Sequence, residues 1–300
     1  MFVIHANLDA EARWAGRSLP AVVATRVSYY AALTAALAPD GAAVEVWAPA
    51  AVDASRILLP VTMRVGTPPR ADLVWAQDGA KAANDRRLAT ALAAEYGIGV
   101  PGARMITSVD EIDLAGPWVA KAPWTAAGRD RCHGAGAPDS EKRKRIQKLL
   151  RWQGALVLEP WLERALDVGV RAMVHSDRSA IVEPPHSVLT SPRGDFLGID
   201  LTPPALNFEQ QRQLLEFVRV VGSRIDYVGP ITVDAFVTAN GRLCVCEINA
   251  RHSFGWVASA LALRDGTTKL GMSLAPANAR MLIARHPDPS YDDGITAWIA

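Results

Sequence analysis

LCVCEINARHSFG, residues 243–255, is the stretch on which the reading of this chain turns. A strand-like run, Leu243 to Cys246, ends in Glu247, Ile248 and Asn249, with Arg251 close behind. Upstream lies ITVDAFV (231–237), and Asn240-Gly241 between the two apolar runs is a strong hairpin signal. With those two residues as the loop, Asp234 pairs with Glu247, Thr232 with Asn249 and Phe236 with Val245. Strict alternation then puts all six side chains on one face. Directly opposed residues have Cβ atoms about 4.5–5.5 Å apart. Two carboxylates at that spacing repel, and one is driven towards protonation unless something intervenes. Paired oxygen donors beside an amide suit a hard divalent cation, Mg²⁺ or Mn²⁺. The competing reading is a solvated polar face. The apolar neighbours Val233, Val245 and Ile248 argue against it.

The chain has 300 residues, half of them hydrophobic, and a formal net charge of +1. That is enough apolar material for a sizeable core and more than one lobe. So balanced a charge gives no field that favours nucleic acid or a membrane surface. No run of apolar residues is long enough to span a bilayer. The opening MFVIHANLDAEARW lacks the basic and long apolar regions of a signal peptide, so a cytoplasmic protein is expected. Cys132, Cys244 and Cys246 make a poor disulfide framework and read as reduced thiols, Cys244 and Cys246 on one strand face. No Cys/His set has zinc spacing.

Strand-like FVIHA (2–6), AVEVWAP (43–49) and DLVWAQD (72–78) alternate with a helical pattern over 24–37, which predicts a small α/β lobe with parallel strands. It carries no Gly-x-Gly-x-x-Gly after its first strand. A helix follows from Asn84, its expected cap, to Gly97. Residues 117–123 read as a strand, 125–139 as a long glycine-containing loop and 140–152 as a helix. Residues 155–162 read as a strand broken at Pro160, and DVGVRAMVHS with SAIVEPP as an antiparallel pair. Residues 184–204 are a Pro/Gly-rich stretch, 208–225 reads as an amphipathic helix, and the last fifty residues read as helical and turn-like. The expected division is 1–80, 81–154 and 155–300.

Lys121 ends its strand and is followed by small residues whose backbone can approach an anion. Alone, this is equally the pattern of a surface lysine. Glu159 closes an apolar strand, and Pro160 interrupts regular pairing, which frees backbone groups at 160–162 for a ligand. Asp167 follows just before the next strand. Such a constellation suits an adenine amino group and ribose hydroxyls, and it also fits an ordinary strand-to-turn junction.

Taken in order, NDRRLATALAAEYGIGVP (84–101), WVAKAPWTAAGR (118–129), LVLEPWLERALDVGV (156–170), ITVDAFV and CEINARHSFG resemble the ATP-grasp superfamily. The resemblance implies an α/β (α+β) two-lobe ATP-grasp fold, preceded here by a short Rossmann-like α/β lobe. It implies that Lys121 touches the nucleotide phosphates, that Thr125, Ala126, Ala127 and Gly128 cover them, and that Glu159, Pro160, Trp161 and Leu162 form the adenine hinge. It implies that Asp167 holds the ribose and that Asp234, Glu247 and Asn249 hold the metal. Arg251 takes the place of the arginine that often follows the asparagine. Two positions depart from the pattern: Arg86 stands where a lysine is common, and Thr232 where some members have arginine. Stabilisation of the transferring group then falls to Arg251 or Arg171.

The chemistry so implied is ATP-dependent activation of a carboxylate as an acyl phosphate, followed by attack of an amine. The cofactors are ATP and Mg²⁺, with Mn²⁺ as a substitute. The partners are a small acid and an amine, with a homodimer allowed. His186, Ser187, Arg193, His252, Ser253 and Trp256 are the candidates for the acceptor site between the lobes. Two other readings stay open: a nucleotide-binding module without turnover, and a kinase-like member.

Overall fold

In the computed structural model, which describes residues 1–125, 130–288 and 293–300, the backbone forms three sheets. The first holds β1 (Phe2–His5), β2 (Val44–Ala48), β3 (Val61–Val65) and β4 (Leu73–Val74) in the order β3-β2-β1-β4, every pair parallel. Parallel neighbours need a crossover, and α2 (Ala21–Ala31) with the 3-10 turn Ala32–Leu37 supplies it between β1 and β2. A short helix, α1 (Ala10–Trp14), precedes it. Ile4, Ala31 and Val46 are fully buried between sheet and crossover.

The second sheet has the order β5-β8-β6-β7 and is antiparallel throughout. Its strands are β5 (Arg104–Ile106), β6 (Pro117–Lys121), β7 (Arg131–Ala135) and β8 (Leu156–Pro160). Helix α4 (Ser140–Gln153) covers one face with Ile146 and Leu149, against Trp118, Leu156 and Leu158. Asp139 caps it through the backbone N–H of Lys142, and Gly154, at φ +77°, ends it. Residues 131–135 were expected in a loop and are a strand. Gly134 is there to make room: a Cβ would come within 2.2 Å of the Trp118 indole. Because β8 pairs with both β5 and β6, the second sheet extends past the boundary expected at 154.

Helix α3 (Arg86–Glu95) is capped by Asp85, whose carboxylate accepts from the Arg87 N–H, and not by Asn84 as expected. Asn84 ties the helix start to the third sheet instead, donating to Ala250 O at 3.2 Å and accepting from Ala250 N–H at 3.0 Å.

The third sheet has nine strands in the order β14-β13-β9-β11-β12-β15-β17-β16, with β10 paired to β9. They are β9 (Arg164–Val174), β10 (Ala180–Val182), β11 (His186–Thr190), β12 (Phe196–Asp200), β13 (Gly229–Thr238), β14 (Leu243–Asn249), β15 (Lys269–Gly271), β16 (Arg280–Ile283) and β17 (Ala297–Ile299). Helix α5 (Phe208–Arg224) packs Leu214, Phe217 and Val221 onto Val170, Ala172 and Val233. Helix α6 (Phe254–Asp265) follows β14. The Pro/Gly-rich stretch 184–204 contains β11 and β12. Gly198 allows β15 to approach, since a Cβ would meet Leu270 O at 2.3 Å. The last fifty residues, expected to be helical and turn-like, add β15–β17 to this sheet. A shared core joins them to α2 and its 3-10 turn through Tyr29, Leu33, Leu261 and Ile283. Among the described residues, no helix is long and apolar enough to cross a membrane.

The β13–β14 hairpin pairs Asp234 with Glu247 and Thr232 with Asn249 as expected, but Phe236 faces Cys244, not Val245. Thr238 N–H donates to Arg242 O at 2.9 Å, so the loop is three residues, Ala239–Gly241, with Gly241 at φ +83°. That shifts the register by one. An extra residue on β14, Cys246, shifts it back.

Candidate active site

A cavity of about 610 Å³ opens among the three sheets. On its floor are Asp234 and Glu247, set opposite each other by the restored register. Burial, then the Glu247 charge, pushes the Asp234 carboxyl up to about 8. Asn249 donates its amide to Asp234 Oδ2 at 2.8 Å, and its own Oδ1 accepts from Arg251 at 2.9 Å. Glu247 Oε1 accepts from Arg86 Nη2 at 2.7 Å. Asp234 Oδ1 and Glu247 Oε2 have no hydrogen bond to a described residue, and two such oxygens under mutual repulsion fit a divalent cation. Among the described residues no group of three or more His, Cys, Asp and Glu converges, so a cation here would meet these two carboxylates and the amide as its described protein donors. That sparse set resembles magnesium sites, where phosphates and waters complete the shell.

Positive charge surrounds the pair. Arg86, at the start of α3, is 6 % exposed and also donates to Ala122 O, so it bridges the end of β6 to β14. Lys121 lines the cavity and donates to Glu159 Oε2 at 2.5 Å, from the end of one strand to the next. Glu159 therefore anchors the lysine rather than reaching into the cavity itself. Arg251 lines the cavity, donates to Glu11 and lies over the Trp75 ring. Glu11, on α1, escaped the sequence reading: no local pattern marks one acidic residue in a short helix as the partner of Arg251. Arg171 does not line the cavity; it is buried behind α6, donating to Gly255 O at 3.0 Å.

Of the residues expected to form a hinge, only some face the cavity. Trp161 lines the cavity, but its N–H donates to Pro117 O at 2.9 Å and is not free for a ligand. Pro160 does not stop the pairing, which continues to Trp118. Neither Pro160 nor Leu162 lines the cavity; Leu162 packs with Val100, Phe236 and Cys244. Asp167 does line it, its carboxylate oriented by Arg164 Nη1 and Thr190 Oγ1, each at 2.8 Å. Arg164 spans the Phe236 and Trp161 rings and was not foreseen. Thr125 lines the cavity, whereas Ala126, Ala127 and Gly128 lie outside the described residues.

Of the acceptor candidates, His186 and Ser253 line the cavity. His186 is buried, and burial, helped by the Arg171 charge, pulls its pKa down to about 3. Ser253 Oγ lies 2.8 Å from Thr232 Oγ1. The other four stand elsewhere. Ser187 points away on β11, Arg193 is exposed on the β11–β12 turn, and His252 and Trp256 pack beside the cavity wall without lining it. Trp256 lies within α6, and His252 packs on Trp75 and Trp256, so adjacency in sequence to Ser253 did not bring either to the same surface.

No family model and no curated protein matches the sequence. Solved structures do. Biotin carboxylase from Campylobacter jejuni, in a β-γ-ATP complex, superimposes with a TM-score of 0.60 at 12% identity over 99% of this chain and 86% of that one. The biotin carboxylase domain of 2-oxoglutarate carboxylase from Hydrogenobacter thermophilus, with MgADP and bicarbonate, gives 0.61 at 13% over 99% and 85%. N5-carboxyaminoimidazole synthetase from Staphylococcus aureus, complexed with ADP, gives 0.51 at 14% over 84% and 70%. What they share with this chain is an architecture, and the fold of this protein is that of the ATP-grasp superfamily.

Proposed function

We propose that the chain is an ADP-forming ligase that activates a small carboxylic acid with ATP and joins it to an amine. The observation that carries this is the facing of Asp234 and Glu247 on the cavity floor, ringed by Arg86, Lys121 and Arg251. The nucleotides named in the similar structures support it. In this reading the three sheets are the cores of three lobes, with the boundary between the second and third after Pro160 rather than at 154.

The triphosphate lies beside Lys121 and Thr125, and the ribose end lies towards Asp167 and Trp161. Asp234 and Glu247, with Asn249 beside them, hold Mg²⁺, which supplies neutralisation of phosphate charge when bound. An oxygen of the acid attacks the γ-phosphorus, the bond to the β–γ bridging oxygen breaks, and ADP departs. The amine nitrogen then attacks the acyl carbon, phosphate leaves with its bonding electrons, and the amine gives up a proton. Lys121 and Arg251 supply fixed positive charge along this path, held in place by Glu159 and Glu11. No protein nucleophile is required.

The test is ADP release from Mg-ATP with pools of acids and amines. Release that needs both substrates, and is lost in Asp234→Asn and Glu247→Gln, is the expected result. Release that needs the acid acceptor but no amine makes the chain a kinase. Nucleotide binding without release from any pool makes it a binding module, a reading that the Arg86–Glu247 ion pair favours because it occupies a metal-ligand oxygen.

A further inference from the structure

The cavity extends well beyond the carboxylate pair, and its far wall changes character. Phe254 stands at the centre of that wall. Its ring centroid lies 5.4 Å from Trp75, 5.9 Å from Phe196 and 6.5 Å from Tyr30. All four line the cavity, together with Ile199 and Met272. This wall is continuous with the core that joins α2, α6 and the last strands, so it is an apolar surface facing a cavity rather than scattered surface rings.

The start of α6 carries Phe254 and is tied to β13 through Ser253 and Thr232. Ser253 holds the N-cap position but does not cap the helix; its hydroxyl is engaged by Thr232 at 2.8 Å. The first N–H groups of α6, on Phe254 and Gly255, therefore have no side-chain cap, and both residues line the cavity. A second observation falls at the same place. His186 is 2 % exposed, lines the cavity and leaves Nδ1 with no hydrogen-bond partner among the described residues. Its ring packs so closely on Gly255 that a Cβ there would come within 2.9 Å of Nε2. An uncapped helix start beside an unpartnered buried imidazole and Arg251 offers hydrogen bonds and positive potential to a carboxylate.

We infer that the substrate acid is apolar: a carboxylic acid whose carboxylate sits at the start of α6 and whose ring or branched hydrocarbon body lies against Phe254, Phe196 and Tyr30. This rests on the ligase reading for its chemistry but not for its binding. Burial of a ring against Phe254, Phe196 and Tyr30 gains what a short polar acid cannot.

The experiment measures calorimetric binding of 3-phenylpropionate and succinate to protein saturated with Mg²⁺ and a non-hydrolysable ATP analogue. Hydroxamate formation with ATP and hydroxylamine is followed in parallel. Phenylpropionate is expected to bind at least tenfold more tightly than succinate. Phe254→Gln and, as a milder change, Met272→Gln are expected to shrink that ratio. Succinate binding as well as or better than phenylpropionate overturns the inference, as does failure of phenylpropionate to bind. Phenylpropionate binding that responds to both variants, with no hydroxamate from any acid, upholds the apolar site and sinks the ligase reading. Hydroxamate from polar acids alone does the reverse.

Discussion

Asp234 and Glu247 face each other across β13 and β14, and Glu247 is in turn held by Arg86 at 2.7 Å. Without metal, the Asp234 carboxyl titrates near 8, through burial first and Glu247 second. A raised carboxyl means that the folded chain keeps a proton that the unfolded chain has already released. Stability from this group is therefore fullest below the ordinary carboxyl range and is lost as pH rises to about 8. In chelator, the unfolding temperature is expected to fall more between pH 5 and pH 8 in the wild type than in Asp234→Asn, and Mg²⁺ to offset the fall. Identical slopes for the two proteins would separate Asp234 from the effect.

Arg86 is a structural bridge as well as a charge. It joins Glu247 on β14 to Ala122 O beyond β6 and is almost wholly buried. Arg86→Met leaves Glu247 without its cation and the carbonyl without a donor. The expected loss is about 3 kcal/mol, at the low end for a broken buried pair because Glu247 keeps some contact with water. Urea denaturation measures it, and a loss below about 1 kcal/mol would count the bridge as a surface pair. Arg86→Lys, which keeps the charge but cannot fork, is expected to recover only part.

Arg131, at the start of β7, reaches across the cavity to the β11–β12 turn. It donates to Arg193 O at 2.8 Å, Gly194 O at 3.1 Å and Asp195 Oδ1 at 2.7 Å. Asp195 is half exposed, so the ion pair alone is weak, and the two carbonyls give the tie its direction. Arg131→Ala is expected to raise the KM for ATP about threefold to tenfold and to speed tryptic cleavage at Arg193. Unchanged KM and unchanged cleavage would mean that the tie does not hold the second sheet over the cavity.

The sequence carried the strands and helices with clear periodicity, and it carried the Asp234–Glu247 opposition, though by a route the backbone does not follow. Asn240-Gly241 announced a hairpin but not that Ala239 joins the loop, and Cys246 gave no sign of being the extra residue that cancels the shift. Glycine misled at Gly134, which reads as a loop residue because local propensity cannot see the Trp118 ring pressing on it. The site was least legible where chain-distant parts meet. Glu11 reaches Arg251 over 240 residues, and Trp75, Tyr30 and Phe254 form one wall from three separate segments. His252, Trp256 and Arg171 do not line the cavity, since nearness in sequence to β14 or likeness of charge does not fix the direction of a side chain.

The account stands on whether Asp234 and Glu247 bind a divalent cation beneath a nucleotide. Titration of Mn²⁺ into the protein with ADP, followed by electron paramagnetic resonance, reads this without any substrate being known. Bound Mn²⁺ in the wild type, weakened at least about a hundredfold in an Asp234→Asn, Glu247→Gln double variant that keeps its circular dichroism, is the expected result. Equal Mn²⁺ binding by wild type and double variant would contradict the account.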